Sequence, residues 1–194
     1  NLQMDGGFSA TGITDLTLDG GSASSLDFTG NSGELRLRNL TAGGFNVDGG
    51  DADLLFESGS LARTTAGQLV TVSNISGGRV EVAVDMSANG AASGLLLENN
   101  SGGEIIFSGA QQSLSTGSND AVRLIDNSGA EISFSGDSLD IQTSGGSGFH
   151  ASGGGTLSLT GSNSISSNGA GSALRLEDMQ IGTDGFALDS LSST

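Results

Sequence analysis

Short segments of alternating apolar and polar residues recur along the chain, each preceded by a turn of small residues. Copies of this pattern end at Val82, Phe107, Phe134 and Leu159, and Phe56 extends the same series upstream. Alternation over four or more residues predicts β-strands. A regular repeat of between 20 and 30 residues that consists of strands and turns is typical of a solenoid. The pattern therefore predicts an all-β fold, a single-stranded parallel β-helix with rungs of about 25–27 residues.

The alternation assigns the side chains of each strand to two faces, because successive residues of a strand point in opposite directions. Equivalent inward positions should stack as continuous apolar columns. One predicted column contains Val80/Val82, Ile105/Phe107, Ile132/Phe134 and Leu157/Leu159. Another contains Val70/Val72, Leu95/Leu97, Val122/Leu124 and Phe149/Ala151. The outward positions are predicted to align Glu81, Ile106, Ser133 and Ser158 in one row, and Arg79, Glu104 and Glu131 in the next.

Two parts of the chain depart from this pattern. Residues 19–55 do not follow the spacing, so no register is predicted for them. Ala83 to Gly94 comes nearest to a helical pattern, although its glycines weaken it. At the predicted corners, Asn74, Asn99 and Asp126 share one position, where Asn and Asp tolerate a left-handed backbone and could form a short polar ladder.

A longer period appears when the two ends of the chain are compared. Four pairs of segments are related by an offset of about 140 residues, which indicates about 1.3 super-repeats within one continuous solenoid segment, 1–194. The end rungs resemble each other and neither resembles a polar cap, so we expect a part of a longer tandem array or a subunit that stacks head to tail on copies of itself. The pairs are Gly7-Phe8 with Gly148-Phe149, Leu16-Leu18 with Leu157-Leu159, Leu35-Leu37 with Leu174-Leu176, and Gly44-Phe45 with Gly185-Phe186.

The amino-acid composition indicates in which environment this protein works and which partners it should repel. The 194 residues include 34 Gly, no Pro and no Cys, and all six basic residues are Arg, so that the net charge is −16. Such a chain should repel nucleic acid and anionic membrane surfaces, and no stretch is apolar enough to insert into a membrane. Because it is acidic, lacks Lys and begins at Asn1, we expect a secreted or cell-surface protein, either as a mature product or as an excerpt.

Candidate chemistry is sparse, and no catalytic residues are predicted. His150 is the only histidine, and its neighbours Phe149 and Ala151 place it on the outward face. The carboxylate pairs Asp137/Asp140 and Glu177/Asp178 are of the kind that a glycosidase uses, but solvated turn charges explain them more simply.

A calcium site is the one metal site that the sequence suggests. Asp48, Asp51 and Asp53 cluster near glycines, as in a calcium-binding turn, but they fit neither the glycine-rich nonapeptide nor the EF-hand spacing. No other cofactor is predicted.

Three stretches, 126–136, 146–165 and 171–182, resemble the right-handed parallel β-helix repeats of very large bacterial surface proteins, including adhesins and autotransporter passengers. The resemblance lies in the style of the repeat and covers roughly residues 68–182. It implies a right-handed helix that is secreted and serves as a stalk or an adhesive surface. Some β-helices of this kind act on polysaccharides, but no enzyme motif is present here to carry over.

Three functions remain open at this point. We favour a structural or adhesive extracellular β-helix of a bacterial surface stalk, adhesin or filament, without catalysis, whose partners are flanking repeats or further copies and surface glycans. The first alternative is a polysaccharide-binding or polysaccharide-degrading β-helix of the tailspike or lyase kind. The second is an ice-binding solenoid, which should show regular Thr ladders on a flat face.

Overall fold

The computed structural model describes residues 2–3 by their backbone and residues 6–194 in full. The sequence also predicts a short first strand, Leu2-Gln3-Met4, of which Met4 lies outside this range. Every regular element of the described chain is a β-strand. The strands are β1 (Leu2–Gln3), β2 (Phe8–Thr11), β3 (Thr14–Ala23), β4 (Leu26–Ala42), β5 (Phe45–Gly50), β6 (Asp53–Phe56), β7 (Gly59–Arg63), β8 (Gly67–Ser73), β9 (Arg79–Val82), β10 (Asp85–Asn89), β11 (Ala92–Glu98), β12 (Glu104–Phe107), β13 (Gln111–Gly117), β14 (Val122–Ile125), β15 (Glu131–Phe134), β16 (Ser138–Thr143), β17 (Phe149–Ser152), β18 (Thr156–Leu159), β19 (Ser162–Ser167), β20 (Leu174–Glu177), β21 (Gln180–Phe186) and β22 (Ser190–Ser193).

Each strand pairs in parallel with the strand one turn away, and the strands therefore stack in three columns. The first column contains β2, the start of β4, β5, β8, β11, β14, β17 and β20. The second contains the start of β3, the middle of β4, β6, β9, β12, β15, β18 and β21. The third contains β1, the ends of β3 and β4, β7, β10, β13, β16, β19 and β22. The predicted parallel β-solenoid is thus confirmed.

The two predicted apolar columns are confirmed residue by residue, and they form the inner faces of the first and second columns. Phe107 and Phe134 lie in register with their ring centroids 4.9 Å apart and their planes 18° apart. Both rings are at most 1% exposed, and Phe56, Val82 and Leu159 are buried in the same row. A row of large side chains that stack without gaps stabilises the rod along its whole axis.

The third column has an inner face that the sequence pattern did not reveal. One of its inward rows mixes apolar and polar side chains, and Gln112 and Asn163 are both buried within it. The segment Ala83 to Gly94, the nearest candidate for a helix, contains β10 and the start of β11 instead. The row consists of Ala23, Ala42, Leu61, Met86, Gln112, Leu139 and Asn163.

The turns of the solenoid have two lengths, and this explains why residues 19–55 lacked a predicted register. In the first column, Phe8, Leu26 and Phe45 are successive partners, and Phe45 is then followed by Val70 and Leu95. The turns before Phe45 therefore take about 18–19 residues and those after it about 24–27 residues, the usual length of a solenoid repeat. We call these the short turns and the long turns. Short turns contribute only a few residues to the third column, ending at Ala23 and Ala42. Long turns contribute a longer third-column strand and then a segment that leads back to the first column.

Arg63 lies at the step from short to long turns. It ends β7, beyond the last residue that the short turn below can pair with. Its guanidinium donates hydrogen bonds to three carbonyl oxygens, those of Gly43 (2.9 Å), Thr65 (3.2 Å) and Ala66 (2.8 Å). A Cβ at Gly67 would collide with this guanidinium, so the loop closes tightly around it. The Arg63 side chain therefore covers the part of the long turn that has no turn beneath it.

The corner after each first-column strand has a left-handed backbone in every described turn. The predicted corner residues Asn74, Asn99 and Asp126 have φ values of 58°, 58° and 56°, which confirms their shared conformation. Glycine occupies the same corner in other turns, because it adopts positive φ without a Cβ penalty. The row consists of Gly12, Gly30, Gly49, Asn74, Asn99, Asp126, Gly153 and Asp178.

The polar ladder at this corner is formed by the next residue along the chain. The Asn100 side chain accepts a hydrogen bond from the Ile75 N–H (3.0 Å) and donates to the Val72 carbonyl (3.0 Å) and to the Asn127 side chain (2.7 Å). Asn127 donates in turn to the Leu97 carbonyl at 3.0 Å. Both asparagines are fully buried. They bind backbone groups on both sides of the left-handed corner, the Ile75 N–H after it and strand carbonyls before it.

The four pairs of similar end segments do not all occupy equivalent positions. Phe8 and Phe149 both lie in the first column, and Leu16 and Leu157 both lie in the second. In contrast, Leu35-Leu37 lies in the second column and Leu174-Leu176 in the first. The third and fourth pairs, which include Phe45 and Phe186, therefore share an alternation but not a place in the fold.

We expect Phe134→Ala to lower the free energy of unfolding by about 3–5 kcal/mol, since the ring is buried between fixed strands and the cavity cannot collapse. Ser133→Ala, one residue away on the outward face, is the control and should change it by less than about 0.5 kcal/mol. Denaturant unfolding followed by circular dichroism measures both. A loss below about 1 kcal/mol for Phe134→Ala would contradict the stacked column.

Asn100→Ala should be more destabilising than an ordinary polar substitution, because it leaves the buried Ile75 N–H without its acceptor and also removes the hydrogen bonds to the Val72 carbonyl and the Asn127 side chain. Each buried group left unsatisfied costs about 1–3 kcal/mol. The neighbouring Asn99→Gly keeps the left-handed corner and should be near neutral. Thermal unfolding of the two variants checks the assignment, and equal losses would show that the corner conformation, not the buried amide, governs stability.

Candidate functional site

The outer face of the second column carries a groove near the C-terminal end of the rod. We call it the outer groove; its volume is about 430 Å³. Its floor contains Ile106, Ser133 and Ser158, one residue from each of three consecutive strands, which confirms this predicted outward row. Glu104 and Glu131 line one side. The groove therefore combines apolar side chains, those of Ile106 and Ile181 among them, with hydroxyl and carboxylate groups.

A bulge in β21 closes the C-terminal end of the outer groove. Leu157 pairs with Ile181 and Leu159 pairs with Phe186, so four residues of β21 lie opposite a single residue of β18. A Cβ at Gly182 would collide with the Ser158 hydroxyl, and Ser158 is only 9% exposed as a result. The bulge thus folds over the outward face of the rod. Sequence periodicity could not predict it, because extra residues inside a strand interrupt the period.

The charged side of the groove follows the predicted alignment. Arg79, Glu104 and Glu131 occupy one row in consecutive turns, as expected from their spacing. Arg79 contacts Glu104 at 3.8 Å and Glu81, on its own strand, at 2.8 Å. Glu104 and Glu131 are direct lateral neighbours of like charge. This edge of the groove therefore favours ligand groups that donate hydrogen bonds or carry positive charge.

The predicted calcium residues lie at the corner between β5 and β6. Asp48 accepts hydrogen bonds from the Ser73 hydroxyl (3.0 Å) and from the Asn74 amide (2.7 Å), so protein donors already engage it. Asp53 begins β6 and pairs in register with Arg79, while Asp51 is exposed in the link between the two strands. In the described chain, no group of three or more His, Cys, Asp or Glu side chains is arranged to hold a metal ion. The geometry adds no support for calcium here.

The outward row of the first column brings together three residues that the sequence left separate. Arg123, His150 and Arg175 are register partners in consecutive strands, which places His150 on the outward face as predicted. Each arginine has an acidic neighbour, since Arg123 lies 4.0 Å from Asp120 and Arg175 lies 2.8 Å from Glu177. The row is therefore locally close to neutral, in contrast to a site built for a polyanion.

The two predicted carboxylate pairs do not lie at a common corner. Asp137 and Asp140 flank the start of β16 in the third column, and Asp140 accepts hydrogen bonds from Ser164 (2.6 Å) and Gln142 (3.2 Å). Glu177 and Asp178 lie at the end of β20 in the first column. Neither pair lines the outer groove.

The outward face of the third column is a polar surface that the long turns share. Two of its rows consist almost entirely of small polar side chains, and neither row contains threonine. One row is Ser87, Ser113, Asp140, Ser164 and Ser190, and the other is Asn89, Ser115, Gln142, Ser166 and Ser192. An ordered hydroxyl array is present, but not the Thr ladder that an ice-binding face should show.

Comparisons with known proteins give no relative from which a role could be transferred: no family model matches the chain, and no curated protein or solved structure does either. In the part of the chain that the structure describes, no helix could span a membrane.

Glu131→Gln should raise the free energy of unfolding by no more than about 1 kcal/mol, because it relieves the repulsion between exposed, well-solvated carboxylates. The gain should shrink at high salt, which screens exposed charges. Glu57→Gln removes the same charge beside Arg38, which Glu57 contacts at 2.7 Å, and should have the opposite sign. Denaturant unfolding at two salt concentrations tests this. If both variants gain equally, net charge rather than register accounts for the effect.

Proposed function

We propose that this chain is a structural segment of an extracellular bacterial surface protein, a rigid β-solenoid that forms part of a stalk, adhesin or filament. The observation that carries the proposal is the open C-terminal end, where the apolar columns stop without a cap. Ile181 is 45% exposed and Leu191 is 52% exposed, whereas the equivalent residues one turn earlier, Leu157 and Ile165, are buried.

The last turn has the chemistry of an interior turn rather than of a cap. Leu174, Leu176 and Phe186 continue the inward rows but pack against the core on one side only. In the described chain, β20 and β22 each have a parallel partner on one side. An open edge of this kind is a template for another strand, which would pair its backbone groups and cover its apolar side chains.

The composition favours the stacking of turns along the rod axis over the side-by-side association of two rods. Because the net charge is −16, the lateral surfaces of two rods should repel each other. An array of such turns would stay separate from its neighbours while each turn stacks on the next.

An adhesive role would use the outer groove, where carboxylates beside Ile106 are suited to the hydroxyl groups of a surface glycan.

The test appends one further turn to the intact chain. Thr194 stacks on Asn168, since its N–H donates to the Ser167 carbonyl (3.1 Å) and its hydroxyl bonds the Asn168 side chain (2.8 Å). A copy of residues 169–194 added after Thr194 therefore continues the chain in register. Amide hydrogen exchange in β20, β21 and β22 should become at least about tenfold slower than in the parent chain.

The matched control carries Leu174→Asp, Leu176→Asp and Leu191→Asp in the appended copy alone. It has the same length but cannot extend the apolar rows, so the parent's last turn should exchange as before. If the unmodified added turn also leaves β20–β22 exchanging at the parental rate, the end does not accept further turns. A role as one segment of a stacked array is then wrong.

A further inference from the structure

The outer groove combines negative charge with hydroxyl groups and an apolar floor, and this combination restricts the kind of ligand that fits it. We propose that the outer groove binds a surface glycan through a positively charged amino sugar, whose ammonium group is held by the Glu104 and Glu131 carboxylates. The proposal rests on the adhesive role in the proposed function, and it goes further by specifying the chemical class of the ligand and the groups that bind it.

The charged side chains that line the outer groove are all acidic in the described chain: Glu104, Glu131 and Asp184. Glu104 lies 3.8 Å from Arg79, but Arg79 already contacts Glu81 at 2.8 Å. Glu131 and Asp184 form no salt bridge with any described residue. The protein therefore leaves most of this negative charge uncompensated, and a positively charged ligand would complement it.

The Ser158 hydroxyl is an independent indication of a ligand. Ser158 is only 9% exposed, yet its side chain faces outwards and lines the groove, and its hydroxyl has no hydrogen-bond partner in the described part of the chain. Other partly buried hydroxyls on this face do have partners. Ser108 donates to the Glu81 carboxylate at 2.6 Å, and Thr160 donates to the Phe134 carbonyl at 3.5 Å. Because buried hydroxyls are normally hydrogen-bonded, a ligand in the groove would supply the partner that Ser158 lacks.

The uncharged surfaces of the groove favour a sugar over a simple cation. Ile106 and Ile181 offer apolar surface on which the C–H groups of a pyranose ring can pack. Ser133, Ser158 and Thr183 place hydroxyl groups near this surface. A lysine side chain or a polyamine would bind the carboxylates but leave these hydroxyls without partners. A sugar ring carries hydroxyl groups on its edge that both donate and accept hydrogen bonds.

The size of the groove and the charge of the rod restrict the ligand further. The groove crosses three strands, which at a spacing of about 4.8 Å corresponds to about 10 Å along the axis. Its volume of about 430 Å³ is that of an ordinary small-molecule site. The net charge of −16 disfavours glycans that carry carboxylate or sulfate groups. The ligand is therefore a short stretch of a glycan with free amino groups.

The experiment measures the binding of two oligosaccharides to the full chain by isothermal titration calorimetry. One is a glucosamine tetramer with free amino groups, and the other is its N-acetylated counterpart, which has the same rings but no charge. A pH of about 6 keeps the amines protonated and the carboxylates ionised. We expect the charged tetramer to bind at least about tenfold more tightly, because hydrogen bonds between ionised groups are about twice as strong as neutral ones.

Three variants assign the binding to the outer groove. Glu131→Gln should weaken binding of the glucosamine tetramer at least about fivefold, and Ser158→Ala should weaken it at least about threefold. Glu34→Gln is the matched control, since it removes the same charge from the same outward row, three turns before Glu104. Glu34 contacts Arg36 and lies outside the groove, so this substitution should leave binding unchanged.

Spermidine, a polyamine without hydroxyl groups, is the third probe. Weaker binding of spermidine than of the glucosamine tetramer supports the inference. Equally tight binding with the same dependence on Glu131 would show that the groove selects positive charge alone, and the inference would be wrong. It would also be wrong if Glu34→Gln weakened sugar binding as much as Glu131→Gln, because the charge of the whole rod would then account for the attraction.

The remaining outcomes separate this inference from the proposed function. Equal binding of the N-acetylated tetramer overturns the recognition of positive charge but leaves the groove as an adhesive site for neutral glycans. Failure of both tetramers to bind overturns the inference. The structural role does not depend on either result, since hydrogen exchange in β20–β22 of the chain with the added turn tests it separately.

Discussion

In-register stacking of parallel strands is the constraint on which the rest of this structure depends. Each strand residue has a neighbour directly above and below it at about 4.8 Å, so an inward position must suit the same row in every turn. Rows such as Val82, Phe107, Phe134 and Leu159 satisfy this demand with large apolar side chains that contact their equivalents. Because packing and hydrogen bonding both follow the axis, stability is a sum over neighbouring turns.

The corners impose a second constraint, since the chain must leave one column and enter the next without losing hydrogen bonds. A left-handed residue makes the bend after each first-column strand, and a buried asparagine then binds the backbone groups that the bend releases. Gln112 and Asn163 act in the same way between the second and third columns, where they donate to carbonyl groups at the corner. The interior is therefore apolar along the strands and amide-rich at the bends.

How much the sequence predicts follows from these two constraints. Alternation and spacing were enough to predict two inward columns, the corner row and the alignment of Arg79 with Glu104, because all of these repeat with one period. The third column could not be predicted, since one of its inward rows mixes Ala, Met, Gln and Asn. The short turns could not be predicted either, because their closer spacing breaks the period of the long turns. Leu35-Leu37 and Leu174-Leu176 show the limit most clearly: alternation specifies which side chains face inwards, but not which column they belong to.

The candidate site was less predictable than the fold for a related reason. Outward positions have no packing partner to satisfy, so Glu81, Ile106, Ser133 and Ser158 can differ from turn to turn while the inward residues on either side of them cannot. The outer groove exists only because β21 carries extra residues opposite Ser158, a local insertion that leaves the columns intact. Specific recognition by such a rod must therefore come from its outward rows and bulges, and its length and direction come from the inward rows. The change in turn length gives the rod a direction, because short turns form its N-terminal part and long turns the rest.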